Sequence, residues 1–225
     1  MQAISITIAI NDSIYLRDPL KTSLGKRIIK NSILLIDDIG FEEFNFKKLA
    51  VFMNSTEASV YRYFENKYKL LTYLVAWYWD FMHFMVLLDI SNVNDPKARL
   101  RQTVETLVNK LDSTATPDFI DQGRLHHVVV EHATKIYHTK KVDAHNAEGY
   151  YANYKKIVKL LAEQILAVDP TYRYPVALAT SIIEQSLNNE YYLEHLPSLT
   201  DVSESKKNPR KETVATIEYM LDRLL

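Results

Sequence analysis

The chain of 225 residues contains no cysteine. Disulfides and thiolate metal sites are therefore excluded, and a reducing compartment suits the composition. Glycine and proline are scarce, at 4 and 7. No run is rich in Ser and Gly, so neither a flexible linker nor a low-complexity segment is expected. An excess of charge of one sign is missing as well, the net charge being −1 at pH 7. The molecule as a whole is therefore no polyanion binder by bulk charge, and any nucleic-acid surface must be local. The opening MQAISITIAIND has neither a basic leader nor a long apolar stretch. No secretory signal is expected, and a cytoplasmic location is. Long apolar runs are confined to residues 70–88, LLTYLVAWYWDFMHFMVLL. That stretch approaches the roughly 20 residues that span a bilayer, but Asp80 and His83 stand at its centre. An acid at mid-membrane costs on the order of 2.5–3.5 kcal/mol, so the segment reads as a buried central helix and no membrane partner is expected. There is no Gly-rich phosphate loop and no GxSxG, and nothing points to an enzyme or a cofactor.

What is present is helical periodicity. With 47% hydrophobic residues there is material for one large domain, or a small one joined to a larger. The exception is the start. Ile4, Ile6, Ile8 and Ile10 alternate with Ser5, Thr7 and Ala9, a strand pattern; Asn11-Asp12 can turn, and SIYLR at 13–17 resumes it, predicting a short β-hairpin. Two uses suit it: covering apolar surface on the first helix or its neighbours, or pairing edge-on with another chain. Beyond Pro19, Thr22 or Ser23 can cap a helix over about 22–38, ending at Gly40, with Leu24, Ile28, Leu35 and Ile39 at helical spacing. Asn45 can cap a short helix from Phe46 to Met53, whose apolar face is Phe46, Leu49, Ala50 and Met53. Asn54-Ser55 breaks it, Thr56 caps a third helix to about Tyr63, and Asn66 caps a long fourth. Helix, tight turn, helix is the helix-turn-helix pattern, whose second member can enter a major groove. The remainder predicts helices at about 67–90, 95–112, 117–138, 143–168, 174–196 and 209–225, with Pro96, Pro117, Pro170, Pro175 and Pro197 near their boundaries. The fold class is all-α.

From Arg27 to Leu71 the chain resembles the DNA-binding domain of the TetR (tetracycline-repressor-like) family of bacterial transcription regulators. The resemblance is carried by Ile28-Ile29, Ile33, Ile36, Gly40-Phe41, Asn45-Phe46, Leu49-Ala50, Thr56 and VYRYFENKYKLL at 60–71. It implies an extension over 1–20, a helix-turn-helix head over 21–66 and a helical effector and dimerisation region over 67–225. It also implies a homodimer on a pseudo-palindromic DNA operator, acting as a repressor released by a small-molecule effector. Carried over by position, phosphate contacts fall on Asn45, Thr56, Tyr61, Tyr63 and Lys67, and base-edge reading on Glu57, Ala58 and Ser59. Two departures stand out. Asn54-Ser55 replaces the usual Gly-Val, so the turn is expected to be looser or differently bonded, and Glu57 stands where a basic or small residue is common. Glu57 can accept from cytosine N4, or it can stabilise the positive end of its own helix by about 0.3–1 kcal/mol. Residues 21–75 hold nine Lys/Arg and six Asp/Glu, so the basic surplus lies where the motif is.

Two apolar stripes near the C-terminus, Leu178, Ile182 and Leu187, then Val214, Ile217, Met220, Leu221 and Leu224, are the expected dimer surface, though such stripes also pack within one chain. Trp77, Tyr78, Phe81, Phe84 and Met85 could face Tyr137, Tyr150, Tyr151 and Tyr154 around an apolar or aromatic effector; aromatic stripes are also ordinary core. His126, His127, His132 and His138 cluster in sequence, but only His127 and His138 share a helical face with Glu131, and no metal site is expected. The rival reading is a helical dimeric interaction protein whose DNA-binding head is degenerate, suggested by Ser55, Glu57 and the small surplus of charge.

Overall fold

The computed structural model describes residues 8–109, 116–202 and 208–225. Eleven α-helices occur among them: α1 Ser23–Glu43, α2 Phe46–Phe52, α3 Glu57–Tyr61, α4 Lys67–Ile90, α5 Pro96–Asn109, α6 Gln122–His132, α7 Thr134–Tyr137, α8 Val142–Ala147, α9 Ala152–Val168, α10 Pro175–His195 and α11 Pro209–Leu224. No strand occurs among the described residues. Packing groups these residues into two compact units. One runs up to Asp80 and takes in 116–153; the other holds 81–109, 154–202 and 208–225.

In the first unit the helix starts follow from single side chains. Thr22 Oγ1 accepts from Gly25 N at 2.9 Å, Asn45 Oδ1 from Lys48 N at 2.9 Å, Thr56 Oγ1 from Ser59 N at 3.3 Å, and Asn66 Oδ1 from Lys69 N at 3.0 Å. Each satisfies a donor that the first turn leaves open. The helix ends are equally local. Asn54 takes φ 50°; Ser55 N bonds Ala50 O at 2.8 Å and Asn54 N bonds Val51 O at 3.1 Å. Those two bonds define a Schellman motif, so Asn-Ser closes α2 without the looseness that its departure from Gly-Val suggested.

Three expectations are corrected. The hairpin does not form as drawn: residues 4–7 lie outside the described residues, and 13–17 is no strand. Asn11 caps a single 3₁₀ turn at Asp12–Ile14, and the segment then runs as a strap whose polar groups are satisfied by side chains and by the head. Ala9 N donates to Asp80 Oδ2 at 2.8 Å, Asn153 Nδ2 to Ala9 O at 2.9 Å, Lys69 Nζ to Ser13 O at 2.9 Å, and Leu16 N to Tyr63 O at 2.8 Å. Ile14 is buried and Tyr15 packs edge-on against Tyr73, so the described part covers apolar surface rather than offering an edge. The helix expected over 117–138 starts only at Gln122, capped by Asp121, and breaks at Ala133 between α6 and α7. The one expected over 143–168 is divided by Gly149 at φ 80°; Tyr150 N returns to His145 O at 3.0 Å and Gly149 N to Asn146 O at 3.1 Å, a second Schellman closure.

α4 is long and apolar enough by composition to cross a membrane, and it is mostly buried inside the protein. Its Asp80 is buried and accepts the Ala9 N–H.

The second unit is a helical layer around α5. Lys97 and Arg101 reach Asp222 on α11 at 3.0 and 2.9 Å, and Thr103 Oγ1 donates to Gln164 Oε1 on α9 at 2.8 Å. Leu100, Val104, Ile182, Ile183, Val214, Ile217 and Leu221 form its core. The expected dimer stripe is thereby corrected: Ile182, Leu187, Ile217 and Leu221 are buried within the subunit, because α10 and α11 pack on each other and on α5. Of that set Leu178 and Met220 are half-buried and Leu224 is exposed, beside exposed Val176 and Tyr219.

Candidate nucleic-acid interface

The head is built on α1 to α3 and the first turn of α4. Val60 and Phe64 are fully buried one turn apart, which presses one side of α3 into the head and leaves its other side outward. Arg27 Nη2 donates to Met53 O at 2.7 Å, so α1 closes the C-terminal end of α2. On the outward side Thr56, Glu57, Ala58, Tyr61 and Arg62 are exposed and Ser59 is half-buried. Thr56 Oγ1 and Ser59 Oγ share a hydrogen bond at 2.8 Å. Tyr61 lays its ring edge-on against Phe46, centroids 5.0 Å apart, yet is 48% exposed, so packing fixes the ring and leaves the hydroxyl in solvent. Asn45 is exposed at the start of α2. Six of the eight expected contact residues are therefore exposed or half-buried, five along α3 and its cap and one at the start of α2.

The other two turn inward. Tyr63 is buried; its hydroxyl meets Thr22 Oγ1 at 2.7 Å, its carbonyl accepts from Leu16, and the Arg17 guanidinium lies 5.6 Å over its ring. Lys67 donates to three carbonyls, Phe41 O at 2.9 Å, Glu42 O at 3.1 Å and Phe44 O at 3.0 Å, with the ammonium 4.7 Å above the Phe41 ring. An ammonium has three protons, so Lys67 is saturated. It closes the end of α1 beyond Gly40, where φ is 75° and the helix breaks. Both side chains are thus corrected from phosphate ligands to pins of the head.

Two cations that sequence reasoning passed over stand on the open face. Arg62 and Lys47 are exposed and have no acidic partner among the described residues. The signal was available, since Arg62 directly follows Tyr61. Three acids of the head turn toward α6 and α7, where Asp37 and Asp38 hold Arg124 at 3.0 and 2.6 Å and Glu42 holds Lys135 at 2.8 Å; Glu43, which lines a shallow hollow with Asn45 and Lys47, holds Lys48 at 2.8 Å. Glu57 has no ion pair or hydrogen bond from its carboxylate among the described residues and points to solvent.

This arrangement has known counterparts among solved structures. The chain superposes on AibR, solved in complex with isovaleryl coenzyme A and operator DNA, with a TM-score of 0.61, 17% identity, and coverage of 88% of this chain and 95% of that one. A bacterial regulatory protein of the tetR family from Rhodococcus RHA1 gives a TM-score of 0.62 at 15% identity, over 90% and 97%. The chain has the TetR-family fold. The superantigen PfiT matches too, with a TM-score of 0.59 at 13% identity over 93% and 98%, so the TetR fold is also that of a protein described by another role. No protein-family model and no curated protein matches the sequence.

The expected effector residues belong to both units. Tyr78 is buried with its hydroxyl 2.9 Å from His126 Nδ1, Trp79 Nε1 donates to Tyr137 OH at 3.2 Å, and Tyr151 OH donates to Ile136 O at 2.8 Å. Trp77 is fully buried. In the second unit Phe81 and Met85 are buried, Phe84 is half-buried, and Tyr154 OH donates to Glu184 Oε1 at 3.1 Å. Of the nine, Tyr150 alone lines the cavity of about 560 Å³ that opens in the first unit, bounded by the start of α4 and by 135–150. Three of the four clustered histidines have structural partners: besides His126 on Tyr78, His127 Nδ1 lies 3.2 Å from Asp37, and His132 Nε2 accepts from Phe41 N at 3.3 Å. Burial, aided by Lys135, holds His132 below the usual histidine range, which keeps that acceptor neutral.

Proposed function

We propose that this protein is a sequence-specific DNA-binding transcriptional regulator, a repressor that acts as a homodimer in the cytoplasm and is released by a small-molecule effector. The observation that carries the reading is the open face of α3. Short hydroxyl and methyl side chains at Thr56, Ala58 and Ser59 let the backbone approach base edges, while Asn45, Thr56, Tyr61, Lys47 and Arg62 surround them with phosphate donors. Glu57, unengaged among the described residues, reads cytosine N4. Its own helix has five residues, too few for a strong dipole to be its purpose. AibR, with its operator DNA and isovaleryl coenzyme A, supports both halves of the reading.

A second copy brings a second α3 to the adjacent groove, as a symmetric operator requires. Exposed Val176, Tyr219 and Leu224 with half-buried Leu178 and Met220 are the dimer surface we infer, in place of the buried stripe residues. In functional terms the head is 21–66 and the remainder from 67 holds effector and partner. A coupling of about 1–3 kcal/mol between effector and operator gives a 5–150-fold change in affinity.

The test is selection of a random duplex pool on the purified protein at near-physiological salt, followed by sequencing. An inverted repeat with half-sites about one turn apart is expected. A rival is favoured by one observation: Val51 and Phe52 on α2 are 76% and 46% exposed, an apolar patch that a protein partner could cover. Recovery of no preferred sequence from folded dimer, with and without cell extract metabolites, would select the interaction-protein reading.

A further inference from the structure

The cavity of about 560 Å³ in the first unit is lined by four lysines and two histidines against one carboxylate, Glu65. Its size is that of a small-molecule site rather than of a single ion. Its cations fall into two sets. Lys69 and Lys135 are engaged: Lys69 donates to Ser13 O and to the Tyr150 hydroxyl and lies 4.2 Å over the Tyr150 ring, and Lys135 pairs with Glu42. Lys140, Lys141 and His138 are exposed, and none has an acidic partner among the described residues. They sit on the turn between α7 and α8, where Thr139 Oγ1 accepts from Lys141 N at 3.3 Å.

We propose that this cavity binds a small molecule bearing a diphosphate, held between Lys140, Lys141 and His138 on one wall and Lys69 with Tyr150 on the other. The chemistry favours phosphate over an apolar effector. Point-charge ammonium groups on flexible side-chain stems suit phosphate oxygens, and several of them suit more than one phosphate. Burial first, and then the charge of Lys69, holds His145 below the usual histidine range against the opposing charge of Glu148, so the ring is neutral near pH 7 before anything binds. Burial, with a hydrogen bond to Glu148, pushes the Tyr150 phenol up to about 12, so it stays protonated, its hydroxyl donating to Ser13 O at 3.5 Å and accepting from Lys69. The stacked rings of His145 and Tyr150, centroids 4.7 Å apart, form an aromatic floor for the rest of the ligand.

The placement links occupancy to the head. Lys69 stands in the first turn of α4, whose cap Asn66 follows Tyr63 and Phe64 closely, and the other wall follows His132, which holds Phe41 N. That regulatory meaning rests on the DNA-binding reading, whereas binding itself does not.

The experiment is isothermal titration calorimetry of the full chain with pyrophosphate at near-physiological salt, without DNA. Wild type should bind, Lys140→Ala/Lys141→Ala should bind at least tenfold more weakly with an unchanged melting temperature, and Lys159→Ala in the second unit should match wild type. The His145 ring, followed by NMR, should titrate at higher pH when pyrophosphate is present. Absence of heat at millimolar pyrophosphate, or a double variant within twofold of wild type, overturns the proposal. If pyrophosphate does not bind while the double variant loses DNA affinity and about two units of salt slope, the cations serve the DNA backbone and the proposal also falls.

Discussion

The two sides of the head are built on opposite principles. Toward α6 and α7 it is held by Arg124 on Asp37 and Asp38, His127 on Asp37, Lys135 on Glu42 and the Phe41 N–H on His132. On the other side Glu57, Arg62 and Lys47 have no ion-pair partner among the described residues, and the polar groups there are caps or free hydroxyls. The contrast explains how a protein with net charge −1 can present a basic surface. Four of the six acids in 21–75 are held in ion pairs, three of them toward α6 and α7, which leaves Arg62 and Lys47, against Glu57, as charges near α3 with no ion-pair partner among the described residues. Position, rather than count, makes the surface.

The comparison breaks most severely at its foundation. Gly25 lies so close to the turn before α1 that a Cβ would stand 2.3 Å from Pro19 O, a backbone atom that cannot swing aside. Gly25→Ala should cost about 3 kcal/mol in denaturant unfolding, since overpacking against backbone falls at the upper end of its usual range. Next comes Lys67→Ala, which leaves three carbonyls short of a charged donor and should cost about 2 kcal/mol. If instead stability holds and only DNA affinity falls, Lys67 belongs to the outer face after all. On the outer face Arg62→Ala should lower operator affinity about tenfold, or about 1.4 kcal/mol, and flatten the salt dependence by about one unit without moving the melting temperature. Tyr61→Phe should weaken operator binding about fivefold by losing one phosphate hydrogen bond, again with stability intact.

The smallest effect is a pH dependence confined to the inner side. His132 is held below its ordinary value in the folded state, chiefly by burial. Between the unfolded value near 6.5 and the lower folded one, the unfolded chain binds more protons, so stability should fall as pH drops below about 6.5 and be fully present above it. His145 is lowered for the same reason and acts in the same sense. His132→Gln should flatten the pH slope measured by chemical denaturation; an unchanged slope would exonerate His132.

Much of this was legible in the chain. Asn45, Thr56 and Asn66 cap where the sequence places them, and of Thr22 and Ser23 it is Thr22 that makes the bond; the Asn54-Ser55 break ends α2, with Asn54 at φ 50°. α4 and α10 run within a residue of their expected spans, and α5, α10 and α11 open on a proline. These features depend on neighbours within four residues, which the sequence places without help. Gly149 escaped because its left-handed turn interrupts an otherwise continuous apolar period.

What only the tertiary structure decided are the roles of residues whose type permits several. Tyr63 and Lys67 look like Tyr61 and Arg62 in sequence, yet the first two turn inward to Thr22 and to the end of α1 while the others stay in solvent. Ile182, Ile217 and Leu221 read as a dimer stripe and are instead core, because apolar periodicity says that a face is buried and not by what. The N-terminal strap is tied by side chains up to 144 positions away in the chain, Asn153 on Ala9 being the longest link. Local bonding sets where helices begin and end, and long-range packing chooses which of their side chains remain free to meet DNA.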